Sequence, residues 1–307
     1  MIRFRNWLPA DLPAAVFYWN RAFADRRNFF PIDERDFRDR VVANRHGEEA
    51  FDPAGFQIAT DGAEWVGFAH AGRRANRGYL AFLHVREPHR RHGVGGALFD
   101  LCLSYLAGTD EVFVDGQCFN PYYGNVQGPF IPFWGTPEGI SVPQGDREAL
   151  AFLERRGFVP RFEAVTMERA PADSPVLGEK GEGNATFRSY VNACPALGSR
   201  PDDLVPHARF DRHIAWAAVV GERVAGRVIA YSMERARSGL WGIYDLEVEE
   251  VARGSGLGMA LVRRALDSLA ALRVETCEVL TIPALSPAAY RVYERLGFGV
   301  AVRWAIF

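Results

Sequence analysis

The sequence predicts an α/β protein, of mixed α+β type, built from two copies of one domain. Three observations predict it. An apolar run, a glycine-rich loop and a helical pattern occur twice in the same order. A short helical stretch that closes on Gly-Phe follows each of them. The chain is 307 residues long, the length of about two domains.

The first loop runs Val85-Arg86-Glu87-Pro88-His89-Arg90-Arg91-His92-Gly93-Val94-Gly95-Gly96. The apolar run Tyr79–Leu83 precedes it. Ala97, Leu98, Leu101, Cys102 and Tyr105 follow at the spacing of one helical face. The second loop starts 163 positions later (248 − 85), at Val248, and continues Glu249-Glu250-Val251-Ala252-Arg253-Gly254-Ser255-Gly256-Leu257-Gly258. Counted from each valine, Arg90 matches Arg253, Gly93 matches Gly256, and Gly95 matches Gly258. A strand precedes at Leu240–Tyr244, and Val262, Ala265, Leu266 and Leu269 follow as a helix. Two loops in register point to a duplicated domain. A helix start leaves backbone N–H groups unpaired and partly positive, and glycines let a ligand approach them. Such a loop suits a phosphate or pyrophosphate; the plainer alternative is a tight turn with no ligand.

Other phosphate loops fit less well. A Walker loop needs Gly-Lys followed by Ser or Thr, and the only lysine is Lys180. A dinucleotide fingerprint needs a third glycine where Leu98 and Leu261 stand. Both copies fit R-x-x-G-x-G. The second landmark reads Ala149-Leu150-Ala151-Phe152-Leu153-Glu154-Arg155-Arg156-Gly157-Phe158 in one copy and Ala289-Tyr290-Arg291-Val292-Tyr293-Glu294-Arg295-Leu296-Gly297-Phe298 in the other. Gly157 and Gly297 are placed as left-handed helix caps. Asp146 and Ser286 are placed as N-caps, with Pro287 in the first turn.

These four motifs resemble those of the GNAT superfamily of N-acyltransferases, over about residues 1–168 and 185–307. The resemblance implies two domains, each a mixed, mostly antiparallel central sheet flanked by helices. It implies acetyl-CoA as co-substrate and direct transfer of its acetyl group to a primary amine. His84, Val85, Arg90, Arg91, His92, Gly93, Val94, Gly95 and Gly96 would hold acetyl-CoA in the first copy. Val248, Arg253, Gly254, Ser255, Gly256, Leu257 and Gly258 would hold it in the second. The strand before each loop, near Leu83–Val85 and Leu246–Val248, would give a backbone N–H to the thioester carbonyl. Tyr293 stands where the family places the acid that protonates the leaving thiol; Leu153 stands there in the first copy. Asp245 or Glu247 could relay the amine proton, and His84 occupies the place of Glu247. Each has a plainer reading: an exposed charge for the carboxylates, a core histidine for His84. The alternative function is a non-catalytic acyl-CoA-binding or regulatory module.

Taken in order, Ile2–Arg5 reads as a strand, and Asp11–Phe23 and Glu34–Ala43 as helices. Phe56–Thr60 and Trp65–Ala71 read as strands about an Asp61-Gly62 turn, and Glu111–Asp115 as another. Val85 to Phe158 spans 73 positions and Val248 to Phe298 spans 50. The 23 extra residues fall near 117–145, where no charge occurs from Gly116 to Pro137 but six aromatic residues do, Tyr122, Tyr123 and Trp134 among them. That stretch is either a wall over the acceptor pocket or packing for the second domain. Residues 169–184 read as a linker. The second copy begins near residue 185 and is abbreviated at its start, broken by Pro195, Pro201 and Pro206. Trp216–Val220 and Val224–Ser232 form a hairpin.

The net charge of −2 gives no basic footprint for nucleic acid. No apolar run approaches the length of a membrane span, about 18 residues, and Met1–Arg5 lacks a signal-peptide core. The four cysteines form no C-x-x-C pair; they read as reduced residues of a cytoplasmic protein, and no metal site is expected. The expected partner is a small-molecule or peptide amine, with no nucleic acid and no membrane. The two copies would make a pseudo-dimer within one chain.

Overall fold

A computed structural model describes residues 1–43, 50–114, 142–173, 184–205 and 212–307. The chain divides into two compact units. The first comprises Met1–Val142, Phe152–Val159 and Ile306–Phe307, and the second Pro143–Ala151 and Pro160–Ala305.

The first unit opens with β1 (Ile2–Asn6), α1 (Leu12–Ala22) and α2 (Glu34–Phe37), which widens into a π turn over Arg38–Val42. β2 (Phe56–Asp61), β3 (Glu64–Arg74) and β4 (Arg77–Val85) lead to α3 (Val94–Tyr105) and β5 (Glu111–Phe113). The sheet runs β1-β2-β3-β4-β5, antiparallel except for the parallel pair β4 and β5. Side chains alternate across it. Phe68, Phe82 and His84 meet Tyr18, Trp19 and Phe23 of the α1 segment, with ring centroids 4.7–6.5 Å apart. On the other face an added Cβ at Gly67 would meet Leu98 of α3 and Val85.

The remaining elements are β6 (Val142–Pro143), α4 (Arg147–Glu154), β7 (Phe162–Arg169), β8 (Thr186–Val191), β9 (Cys194–Pro195), β10 (Leu204–Val205), β11 (His213–Val220) and β12 (Arg223–Ser232). β13 (Leu240–Val248), α5 (Leu257–Ala271), β14 (Thr276–Thr281), α6 (Pro287–Arg295) and β15 (Gly299–Ile306) complete the chain. The second sheet has the order β6-β15-β7-β14-β13-β12-β11-β8. Its core packs Leu261, Val262, Ala265, Leu266 and Leu269 of α5 on Val228, Ala230, Trp241 and Ile243. No described helix is long and apolar enough to cross a membrane.

Where sequence order puts β7 with the first copy, space puts it elsewhere. Its residues pair with β14 from Cys277↔Arg169 to Thr281↔Val165, and they belong to the second unit. The expected linker thus begins inside a strand, at Arg169; residues 174–183 lie outside the described residues. Most of the uncharged stretch near 117–145, with Tyr122 and Tyr123, also lies outside them. In the second copy no described residue between β8 and β11 is helical, where the first copy has α1 and α2 between β1 and β2.

Asp146 caps α4 as expected, accepting from Ala149 N–H at 3.1 Å. Ser286 does not: its side chain makes no capping bond, and Pro287 alone starts α6. Proline has no N–H to satisfy, so that start loses little.

Candidate active sites at the two glycine loops

The two loops fold alike. In each, a short 3₁₀ turn follows the strand, at Glu87–His89 and at Glu250–Ala252. The matched arginines then turn back on the strand end. Arg90 Nε donates to Val85 O at 2.8 Å, and Arg253 Nε donates to Val248 O at 3.2 Å. Backbone φ is positive at Arg91 (64°) and Gly93 (83°), and at Gly254 (80°) and Gly256 (88°). Gly93 and Gly256 are the left-handed N-caps of α3 and α5. That conformation needs glycine at almost no cost and costs a bulkier residue about 1–2 kcal/mol. The first i to i−4 bonds are Ala97 N–H to Gly93 O and Ala260 N–H to Gly256 O. The N–H groups before them therefore face outward with the positive end of the helix dipole.

A pyrophosphate fits here on steric grounds as well. An added Cβ at Gly95 would meet nothing closer than Val85 Cγ2 at 3.6 Å, and at Gly258 nothing closer than Val248 Cγ2 at 3.8 Å. The backbone is thus open to close approach. His92, Val94 and Gly96 lie in the same turn of the first copy, and Ser255 and Leu257 in that of the second; Val94 and Leu257 are buried and anchor the helix starts.

A gap opens beside each loop. β4 and β5 pair in parallel only from Arg77↔Glu111 to Tyr79↔Phe113. β13 and β14 pair only from Leu240↔Thr276 to Gly242↔Glu278. Each parallel pair stops six positions before its loop valine. Strand N–H groups directed to that side beyond the last pair are then available to a thioester carbonyl.

The carboxylates of the second copy are placed by a bulge. The β12–β13 register passes from Ile229↔Tyr244 to Arg227↔Glu247 and skips Asp245 and Leu246. Asp245 takes φ 57°, which Asp tolerates better than most residues. Both carboxylates therefore reach one cation. Arg227 Nη2 lies 2.6 Å from Asp245 Oδ2 and 2.9 Å from Glu247 Oε2. The same guanidinium approaches Pro195 O at 3.4 Å. Neighbouring Cys194 is buried, and burial pushes its thiol up to about 11.

The Gly-Phe landmark is a helix ending of the Schellman type in both copies. Phe298 N–H donates to Tyr293 O at 3.0 Å and Gly297 N–H to Glu294 O at 3.0 Å. Phe158 N–H donates to Leu153 O at 3.2 Å and Gly157 N–H to Glu154 O at 3.0 Å. The accompanying apolar contact joins Tyr293 and Phe298, whose rings lie 5.6 Å apart. Tyr293 is buried in the α5-side core. The motif thus fixes the orientation of whatever stands at the Tyr293 position.

His84 is not free to act as a base. Arg90 Nη2 donates toward its Nε2 at 3.4 Å, and its Nδ1 lies 2.9 Å from Tyr18 Oη. An arginine only donates, so Nε2 accepts and Nδ1–H donates to Tyr18. Burial first, then the charges of Arg90 and Arg26, hold His84 down near 3. It is a neutral core histidine at the edge of a cavity of about 390 Å³, which Tyr18, Arg21, Trp65 and Arg86 also line.

Sequence reading missed Arg227, Tyr231 and Glu278. Arg227 carries no motif. Glu278 did leave a signal, as the lone charge in the strand Thr276-Cys277-Glu278-Val279-Leu280-Thr281.

Two open helix starts, each beside a gap in a parallel strand pair, define a site class suited to a phosphate-bearing ligand laid along the parted strands. The chain belongs to the acetyltransferase (GNAT) family, whose sequence signature matches residues 13–120 and 185–298. This family uses acetyl-CoA, and the chain is an N-acetyltransferase that moves an acetyl group from acetyl-CoA to an amine. It is 39% identical over 282 residues to the mycothiol acetyltransferase of Mycobacteroides abscessus, covering 81% of this chain and 83% of that one. The mycothiol acetyltransferase of Streptomyces scabiei is 34% identical over 122 residues, 37% of each chain. Among solved structures, a tandem GNAT protein from the clavulanic acid biosynthesis pathway superposes with a TM-score of 0.66 at 16% identity. That match covers 100% of this chain and 97% of the other, and it supports the tandem fold.

Proposed function

We propose that this chain acetylates the amine whose acetylation yields mycothiol, and that its second unit performs the transfer. The observation that carries the substrate is the likeness to a mycothiol acetyltransferase over most of both chains. In sequence order the copies run 1–168 and 185–307, joined by 169–184, with β7 lent to the second sheet. The protein works in the cytoplasm, where its buried thiols stay reduced.

When bound, acetyl-CoA supplies the thioester. The N–H groups of Gly254–Gly258 and the α5 dipole hold its pyrophosphate, with Arg253 braced on Val248. Backbone N–H groups near Leu246–Val248 stabilise the carbonyl oxygen as charge builds on it. Tyr293, oriented by Phe298, gives a proton to the departing sulfur. Transfer is direct, because no nucleophile is needed once amine and thioester meet in the gap. Asp245 and Glu247 face the acceptor side with Arg227, where their charge favours an amine.

The first unit supports a second reading for itself alone, as a non-catalytic acyl-CoA-binding module. Its loop keeps the cradle, from Arg90 to Gly96. Yet Leu153 replaces the acid, and His84 is neutral and engaged.

The test is thiol release from acetyl-CoA against a panel of amines that includes the unacetylated mycothiol precursor. The expected result is a kcat/KM for that precursor well above the rest. Equal rates on simple amines would refute the substrate.

A further inference from the structure

At the row where the second gap opens, five adjacent strands contribute His213, Tyr231, Gly242, Glu278 and Glu168 in order. Register partners share a face of a sheet. Their sequence neighbours Ala230, Trp241, Ile243, Cys277 and Val279 face the α5 core, so the row faces the other way. Glu278 is 3% exposed, His213 2% and Tyr231 1%. A carboxylate at that depth is costly unless partners or a task retain it.

Gly242 has no side chain, and the space is used. A Cβ added there would lie 2.5 Å from Tyr231 Oη. The phenol of Tyr231 therefore crosses from β12 onto β13 and fills the space over Gly242, whose other register neighbour is Glu278 on β14. Beyond this row β13 and β14 no longer pair. Tyr293 belongs to the opposite, α5-side core. A proton donor and a carboxylate thus stand on opposite faces of the sheet, with the gap between them. Asp245 and Glu247 are less suited to accept a proton, since doing so would break an ion pair with Arg227 at 2.6 or 2.9 Å. The equivalent row of the first unit reads Gly72, Tyr79, Phe113. It holds no carboxylate, and Tyr79 stacks on Phe113 with ring centroids 5.8 Å apart.

We propose that Glu278 takes the proton from the acceptor amine at the row where the gap opens. This rests on the reading that the second unit transfers acetyl. The amine nitrogen bonds to the acetyl carbon, the carbon–sulfur bond breaks, and its electron pair leaves on sulfur. The N–H proton goes to Glu278, and Tyr293 gives one proton to sulfur. Solvent returns the proton from Glu278 to the Tyr293 oxygen, so one amine and one thioester become one amide and one thiol.

The test compares the full-length protein with Glu278→Gln and Glu247→Gln in thiol release, acetyl-CoA calorimetry and thermal melting. Glu168 from β7, Tyr231 from β12 and His213 from β11 face the same row, so pH profiles are compared between variants. Glu278→Gln should lower kcat about 100-fold or more, within the range of a lost general base, and remove the acid limb of the profile. Acetyl-CoA affinity should stay within about threefold, and Glu247→Gln should keep the acid limb. A folded Glu278→Gln with wild-type kcat and profile overturns the proposal. Should that variant not fold, Glu278→Asp retracts the carboxylate by one methylene. It should lose about tenfold in kcat and keep the acid limb; wild-type kcat would overturn the proposal. Wild-type protein that binds acetyl-CoA at the second loop yet acetylates no amine overturns the parent reading as well.

Discussion

The two units share a cradle and differ at the gap beside it. Their loops match in φ, in the arginine brace and in the helix cap. Where the parallel strands part, the second unit places Gly242 and Glu278, and the first places Tyr79 and Phe113 in a stack. At the Schellman ending one has Tyr293 and the other Leu153. At the strand end one has Glu247 in an ion pair, the other a neutral His84. Backbone features that suit a phosphate thus persist in both copies. Tyr293, Glu247 and Glu278 stand in one copy, where the other has Leu153, His84 and Phe113. A duplicated domain can keep ligand affinity through backbone geometry while its chemistry drifts, because affinity needs a few glycines and catalysis needs several side chains at once.

The largest expected effect tests where the units divide. A fragment of residues 185–307 lacks β7 and leaves β14 with an open edge. It should fail to melt cooperatively, whereas residues 160–307 should melt as a unit by circular dichroism. Equal behaviour of the two would mean that β7 is dispensable. Next come the cradles. Gly258→Phe and Gly95→Phe each point a ring into space now open beyond 3.6 Å. Calorimetry should lose one acetyl-CoA site in each case, and turnover should vanish only with Gly258→Phe. Loss of turnover with Gly95→Phe alone would move the chemistry to the first unit.

Much of this was legible in the sequence, for physical reasons. Glycines that take positive φ, and apolar periodicity around them, are local and cannot easily be disguised, so both loops and both helix endings could be read directly. The exchange of β7 could not. Its Phe162–Arg169 pattern fits any sheet, and only space decides which. Asp245 and Glu247 were visible as residues, but Arg227 lies on another strand, and a bulge brings the three together. Glu278 depends on a register of five strands, which no local pattern encodes. Ser286 looked like a cap and is none, since Pro287 already removes one N–H from need.

Tyr293→Phe sharpens the comparison at the Schellman ending. The ring and its contact with Phe298 remain, so the melting temperature should hold. Removing the proton should cost about 10²–10⁴-fold in kcat with acetyl-CoA affinity unchanged. A thiolate with a pKa of about 8.5 can depart without help, which sets the effect toward the lower end. A silent Tyr293→Phe would make this tyrosine a packing residue, as Leu153 is in the first unit.

The smallest effect concerns His84, the first unit's counterpart of Glu247. Its folded value is held near 3, against about 6.5 in an unfolded chain. Below pH 6.5 the unfolded chain binds a proton that the folded one refuses. Stability from the neutral ring is therefore complete above 6.5 and is lost as pH falls toward 3. Between pH 7 and pH 5 this linkage amounts to roughly 2 kcal/mol at most, or a few degrees in Tm. His84→Gln cannot titrate, yet its amide can still accept from Arg90 and donate to Tyr18. Buried His70, also held near 3, is common to both proteins and cancels. Differential scanning calorimetry from pH 7 to pH 5 should show a shallower fall in Tm for His84→Gln than for the wild type. Equal slopes would mean that His84 carries a proton in the folded state, and its hydrogen bond from Arg90 would have to be abandoned.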